Sequence, residues 1–155
     1  MEHLQILPIK PFYGHVPTEE EMEKSSNAYL MSLLAIMVGM PLPIINLLAS
    51  LLFYMGNRRA TWFVRWHCTQ TLLAQLTVLV INSVGVTWTI QVFFGDKLVT
   101  NEYIGYIATL VLFNLFEFAT TMYAAIQVRK GEIVNFWFWG SLATMICPPP
   151  RIMPK

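Results

Sequence analysis

The chain has 155 residues, 55% of them hydrophobic and 12% charged, which is the length of one domain and the balance of a membrane protein rather than a water-soluble one. Its formal charge of +1 leaves no basic domain of the kind a nucleic-acid partner requires. The two cysteines, Cys68 and Cys147, are too far apart for Cys-x-x-Cys or zinc-ligand spacing, so neither a disulfide framework nor a zinc site is expected.

Residues 1–26 read as a polar tail. They carry Pro8, Pro11 and Pro17 and then the acidic run Glu19, Glu20, Glu21 and Glu23, a pattern that matches neither a cleavable signal nor an Arg-rich transit peptide. Ser25, Ser26 or Asn27 is expected to cap a helix whose apolar run begins at Ala28. From Ala28 to Met55 the chain has no charged residue, but Met40-Pro41-Leu42-Pro43 interrupts it. Two prolines one residue apart remove two backbone donors and bias Met40 and Leu42 away from helix. Either one kinked span or two short helices joined by a turn fits that break.

The next apolar runs, about Cys68 to Phe94 and about Tyr103 to Val128, each exceed the roughly 20 residues needed to cross hydrocarbon. The short polar link between them, from Gly95-Asp96-Lys97 to Asn101-Glu102, makes the two helices antiparallel neighbours. A last hydrophobic stretch, Ile133 to Cys147, holds Phe136, Trp137, Phe138 and Trp139 and ends at Pro148-Pro149-Pro150. At about 15 residues it is short for a span and reads best as a helix lying in the membrane interface, with a short or tilted insertion as the alternative.

Positive charge decides between the two readings of the proline break. With a hairpin, Lys10, Lys24, Arg58, Arg59, Arg65, Arg129, Lys130, Arg151 and Lys155 fall on one side and Lys97 alone on the other. With a single kinked span, Lys10, Lys24 and Lys97 oppose the other seven. The positive-inside asymmetry is stronger in the hairpin, which is therefore expected. Its helices, near 13 residues or about 20 Å each, fall short of a hydrocarbon core of about 30 Å. They are expected to thin the bilayer or to enter it as a re-entrant pair against the longer helices.

The expected fold class is an all-α integral membrane protein: a four-helix transmembrane bundle with a short proline-turn first hairpin and a C-terminal interfacial helix. Its parts are a polar N-terminal tail (1–26), a four-helix membrane domain (27–132), an aromatic interfacial helix (133–147) and a proline-rich tail (148–155). Both termini are placed on the cytoplasmic, stromal or matrix side of a bacterial or organellar inner membrane.

Within the apolar runs, polar residues recur at helical spacing. His67, Gln70, Thr71, Ala74, Val78, Asn82, Gly85 and Thr89 form one stripe, and Asn114, Glu117, Thr121, Ala124 and Ala125 another. Such stripes serve as packing seams in which side chains hydrogen-bond between helices. Glu117 carries the sharpest signal: eleven residues separate it from Arg129, about 16 Å of helix, and an ionised carboxylate at that depth needs a partner, a proton or water. Asn46, Asn82 and Asn114 fall at comparable depths. The four make a candidate intramembrane polar patch, either a neutral hydrogen-bonded cluster or the lining of a hydrated cavity. Arg65, His67, Gln70, Arg129 and Lys130 are candidate interfacial contacts to lipid or a partner. No catalytic constellation, metal-ligand set or cofactor motif is present, and no cofactor or enzymatic activity is expected.

Phe63-Val64-Arg65-Trp66-His67 followed by Gln70, and Ala124-Ala125-Ile126 leading to Arg129-Lys130-Gly131-Glu132, form a pattern that resembles a known family. Together with Asn27-Ala28-Tyr29-Leu30 and the turn at Pro41 and Pro43, they are similar to the twenty-kilodalton membrane subunit of the chloroplast inner-envelope import translocon and its bacterial relatives. The likeness runs from about Asn27 to Glu132, and its motifs are short, so its weight lies in their order. The proline-rich first 26 residues, the Phe-Trp-Phe-Trp stretch and the Cys-Pro-Pro-Pro tail depart from it. The resemblance implies four membrane helices and a non-enzymatic subunit of a multi-protein assembly for protein translocation or membrane insertion. Its partners would be the lipid bilayer, other membrane-protein subunits in a hetero-oligomer and a translocating polypeptide. The alternative is a small homo-oligomeric transporter or channel that passes ions or protons by Glu117 and the neighbouring Asn residues.

Overall fold

The computed structural model describes residues 15–34 and 43–150, which form five helices and no strand. They are α1 (Glu19–Ser32), α2 (Pro43–Asn57), α3 (Trp62–Phe94), α4 (Asn101–Arg129) and α5 (Trp137–Ile146). The all-helical expectation holds, with two helices long and apolar enough to cross a membrane, α3 of 33 residues and α4 of 29. The turn expected at Met40 to Leu42 lies outside the described residues, as do Lys10, Arg151 and Lys155. Pro43 opens α2, where its missing N–H costs no helical hydrogen bond.

The first helix starts nine residues earlier than its apolar run. Thr18 is the N-cap: its hydroxyl accepts from the Glu21 backbone N–H, and the Glu21 carboxylate accepts from the Thr18 N–H at 2.6 Å. This reciprocal capping box satisfies two otherwise orphaned donors. The expected caps Ser25 and Ser26 instead lie inside α1, buried against α3 and α4, and the Ser26 hydroxyl donates to the Ala125 carbonyl at 2.9 Å.

α3 and α4 are antiparallel. α1 runs alongside the first half of α3, and its residues Ala28 and Tyr29 belong to buried clusters with Val64 and Cys68 and with Phe63, Ala124, Ala125 and Val128. α2 packs on α1 and α3 but does not reach α4. Gly131, at φ 82°, ends α4. Its N–H donates to the Val128 carbonyl while the Glu132 N–H donates to that of Gln127, a Schellman closure that favours glycine at the left-handed position.

Beyond Gly131 the chain does not settle across the end of the bundle as a surface helix. Residues 132–136 run without helix along α3, and α5 returns antiparallel to it. Trp139 Nε1 donates to the Thr77 hydroxyl (3.1 Å), Trp66 Nε1 to the Thr144 hydroxyl (3.0 Å) and Trp62 Nε1 to the Cys147 carbonyl (2.9 Å). Higher numbers on α5 thus meet lower numbers on α3, and both limbs of this segment begin and end at the Trp62 end of the molecule.

Candidate functional site

Two polar assemblies lie along α3. The first surrounds Gln70 and is closed to solvent. The Gln70 amide nitrogen donates to the Tyr29 hydroxyl at 2.8 Å and to the Val134 carbonyl at 2.9 Å, and its amide oxygen accepts from the Phe136 N–H at 3.2 Å. All four hydrogen-bonding directions of an amide are seldom met in a core; three are met here, one by α1 and two by the segment that leads to α5. The Tyr29 hydroxyl, 2.9 Å from His67 Nδ1, accepts from Gln70 and so has its proton free for His67, which leaves the hydrogen of this neutral imidazole on Nε2. That Nε2 has no hydrogen-bond partner. Around it the rings of Phe63 and Trp66 stand edge-on, at centroid distances of 4.7 and 4.9 Å.

Gly140 leaves room for this closure. A Cβ there would run into the Asn135 side chain and come 2.8 Å from the Gln70 amide oxygen. His67 and Gln70, expected as interfacial contacts to lipid or a partner, have 0% exposure: they join α1, α3 and the segment before α5. Arg129 and Lys130 are exposed, and Arg129 pairs with Glu23 at 3.2 Å. Arg65 reaches the Cys147 sulfur at 3.7 Å. Cys68 and Cys147 are both free and buried.

The second assembly is the seam between α3 and α4. Gln75, Asn82 and Thr89 recur every seven residues, the spacing that keeps one face of a helix toward a supercoiled partner. Gln75 Nε2 donates to Glu117 Oε1 at 2.7 Å, and the Thr121 hydroxyl donates to the same oxygen at 3.1 Å. Asn82 and Asn114 exchange two amide hydrogen bonds, at 3.1 and 2.9 Å. Thr89 and Tyr103 meet through their hydroxyls at 3.1 Å, and the Tyr106 hydroxyl donates to the Ile81 carbonyl. Gly85 permits the approach, because a Cβ there would collide with Leu110 and crowd Tyr106.

Of the four residues expected in the mid-membrane patch, the fold therefore joins Asn82 to Asn114 and places Glu117 one turn away with Gln75. Asn46 is buried on α2, a helix that does not touch α4, so it stands apart from this seam. Gln75 is a polar residue of the seam that the stripe on α3 omits, and Tyr29 appears in the sequence only within a family motif. Gln75 continues the seven-residue spacing of Asn82 and Thr89, and that spacing was visible.

Among the described residues no three His, Cys, Asp or Glu side chains converge as metal ligands. On the N-terminal side, Glu21 is held by His15, whose Nε2 lies 3.1 Å from both carboxylate oxygens. Burial alone would raise the Glu21 pKa, but hydrogen bonds from Thr61 and the Thr18 backbone, and then the bond and charge of His15, outweigh it and hold the carboxyl below its usual range.

Comparison with known proteins corrects the translocon resemblance. The model of the magnetosome magnetite crystal formation protein family matches residues 23–143, most of the chain. No curated protein and no solved structure matches it. The fold gives the physical reason for the misreading: Phe63, His67, Ala124, Ala125 and Gly131 are the residues that pack α1 against α3 and α4 and close α4. Motifs built from them report a way of packing helices and carry no information about a translocated polypeptide. A translocon subunit is thereby set aside, and the small transporter or channel finds no support in this family. By the match over residues 23–143, the chain belongs to the magnetosome magnetite crystal formation protein family.

Proposed function

We propose that the chain is a non-enzymatic integral membrane protein that acts in magnetite crystal formation from within the membrane enclosing the crystal. The family match carries this reading, because it covers α2, α3 and α4 and the greater part of α5. The lengths agree. α3 and α4 measure about 50 and 44 Å at 1.5 Å per residue, enough to cross a hydrocarbon core of about 30 Å and both interfaces. α1, α2 and α5 enter from one side only, so the four-helix bundle becomes two spans with re-entrant neighbours.

Arg58, Arg59, Arg129 and Lys130 lie at the Trp62 end, hereafter the near end, while Lys97 lies in the turn at the far end. The positive-inside rule directs the near end to the cytoplasm and the Gly95 to Thr100 turn to the compartment interior. That turn and the start of α4 present Asp96 and Glu102, two exposed carboxylates, to the side where mineral forms. The bilayer and neighbouring membrane proteins are its partners.

Deleting the gene in a magnetite-forming cell tests this. Electron microscopy should show smaller or misshapen crystals, and the fluorescently tagged chain should restore them and sit on the crystal-bearing membrane. A chain with Asp96→Asn and Glu102→Gln should localise normally and restore crystal size poorly. Crystals of normal size and shape in the deletion strain would contradict the reading.

A further inference from the structure

The molecule tapers along α3. Between Trp62 and Val78 this helix is surrounded: Tyr29 of α1 meets His67 and Gln70, Phe53 and Tyr54 of α2 pack beside Val64 and Cys68, and Thr144 of α5 meets Trp66. On the opposite side of the same depth stands the second half of α4, with Glu117 against Gln75 and Ala125 against Ser26. The deepest contact of α5 is Trp139 with Thr77. Past Val78, among the described residues, α3 pairs with α4: Asn82 with Asn114, Gly85 against Leu110, Ile81 with Tyr106 and Thr89 with Tyr103. Each half of α3 is about 24 Å long, close to one leaflet with its headgroups.

The outer faces of the narrow half are apolar. Val80, Val84, Ile90 and Phe93 on α3, and Val111 and Leu112 on α4, are more than half exposed. At mid-depth its amide and phenol side chains, Asn82, Asn114 and Tyr106, are turned inward on each other and on the backbone, and Ser83 and Thr109 return their hydroxyls to their own helices, while the exposed Thr87 and Gln91 lie in the last two turns of α3, toward the headgroups. Such a surface matches acyl chains and offers little for a protein partner to hydrogen-bond. The broad half is also clad for lipid, since Leu48, Leu52 and Met55 of α2 and Met145 and Ile146 of α5 are exposed.

We infer that the described residues form a lipid-embedded wedge, five helices thick in the near leaflet and two in the far one, with acyl chains filling the narrow half. It therefore favours membrane curved so that the near leaflet is convex. This rests on the transmembrane reading above and adds to it a preference for small, closed compartments. The narrow end then faces the interior of such a compartment and the Arg58-bearing end faces outward.

The full-length chain, tagged at its C-terminus with a fluorophore, is reconstituted into a mixture of phosphatidylethanolamine–phosphatidylglycerol vesicles of about 30 to about 400 nm, a range over which curvature-sensitive binding is resolved. Protein per unit membrane area is read vesicle by vesicle, and resistance to carbonate extraction is scored in the same samples. The expected result is a density in the smallest vesicles at least about twofold that in the largest, since membrane partition is curvature-sensitive, with trypsin cutting at Arg58 and Arg59 from outside. Equal density at all sizes, with the protein resistant to carbonate, would overturn the wedge and leave the membrane reading intact. Release by carbonate would instead overturn the membrane reading. Equal density accompanied by cross-linked dimers through α3 and α4 would assign the narrow half to a second copy rather than to lipid, and would equally overturn the proposal.

Discussion

The two halves of α3 are held by different means. In the near half, buried Gln70 ties together α1, α3 and the segment leading to α5, and the Tyr29 and His67 rings complete a closed network. In the far half, two helices meet along a seam of paired side chains at seven-residue spacing, with Gly85 setting the distance. Inside a membrane, burial of apolar surface gives helices little reason to associate, so packing and hydrogen bonds between them do that work. The near half concentrates this on one residue with several partners, and the far half distributes it over repeated pairs. A change at the hub should therefore spread across elements, whereas a change in the seam should stay local.

The largest effect is expected at the hub. Gln70→Leu strands the Phe136 N–H and the Val134 carbonyl and removes the bond that the Tyr29 hydroxyl accepts, a loss on the order of 3 kcal/mol. Unfolding in mixed micelles should register it, and residues 131–136 should become protease-sensitive. Stability within experimental error of the parent would show that Gln70 is not the hub.

In the seam, Gly85→Leu forces α3 from Leu110 and should cost about 2 kcal/mol by overpacking. The protease resistance of residues 131–136 should be unchanged by it, which is the sharpest contrast with Gln70→Leu. A double-mutant cycle of Asn82→Ala and Asn114→Ala should give a coupling of about 1 kcal/mol, within the range for hydrogen bonds between membrane helices. Zero coupling would mean that the paired amides do not hold the hairpin together.

The smallest effect concerns pH at the near end. Because the Glu21 carboxyl is held below its usual range in the folded chain, its contribution to stability is complete above the unfolded carboxylate pKa. It is lost as pH falls through the lower folded value. Glu21→Gln should therefore reduce stability at neutral pH and flatten its decline in acid, while leaving the far-half seam untouched. An unchanged acid profile would show that the capping box and the His15 contact add nothing measurable.

Much of the fold was legible in the sequence because the long spans announce themselves by length and lack of charge. The helices extend a few residues past their apolar runs, since α3 begins at Trp62 and α4 runs from Asn101 to Arg129. α1 was misread for a physical reason: Thr18 and Glu21 spell a capping box, but the charged run around them suggested a tail. The polar stripes on α3 and α4 pointed to the correct faces, yet a stripe states only that a face is turned inward. It did not show that Gln70 would receive the backbone of residues 134 and 136, since that contact depends on a chain reversal after Gly131. The family resemblance failed on the same ground, because residues that pack helices recur in membrane proteins of different purpose.

The central claim is that α3 and α4 cross the membrane while residues on both sides of α5 remain at the near end. It is tested most directly by labelling single introduced cysteines in sealed vesicles, in a background carrying Cys68→Ala and Cys147→Ala. Arg58→Cys and Pro149→Cys should react with a membrane-impermeant maleimide from the same side, and Asp96→Cys only from the other. Labelling of Asp96→Cys together with Arg58→Cys would contradict the crossing, and opposite labelling of Pro149→Cys and Arg58→Cys would contradict the return of α5.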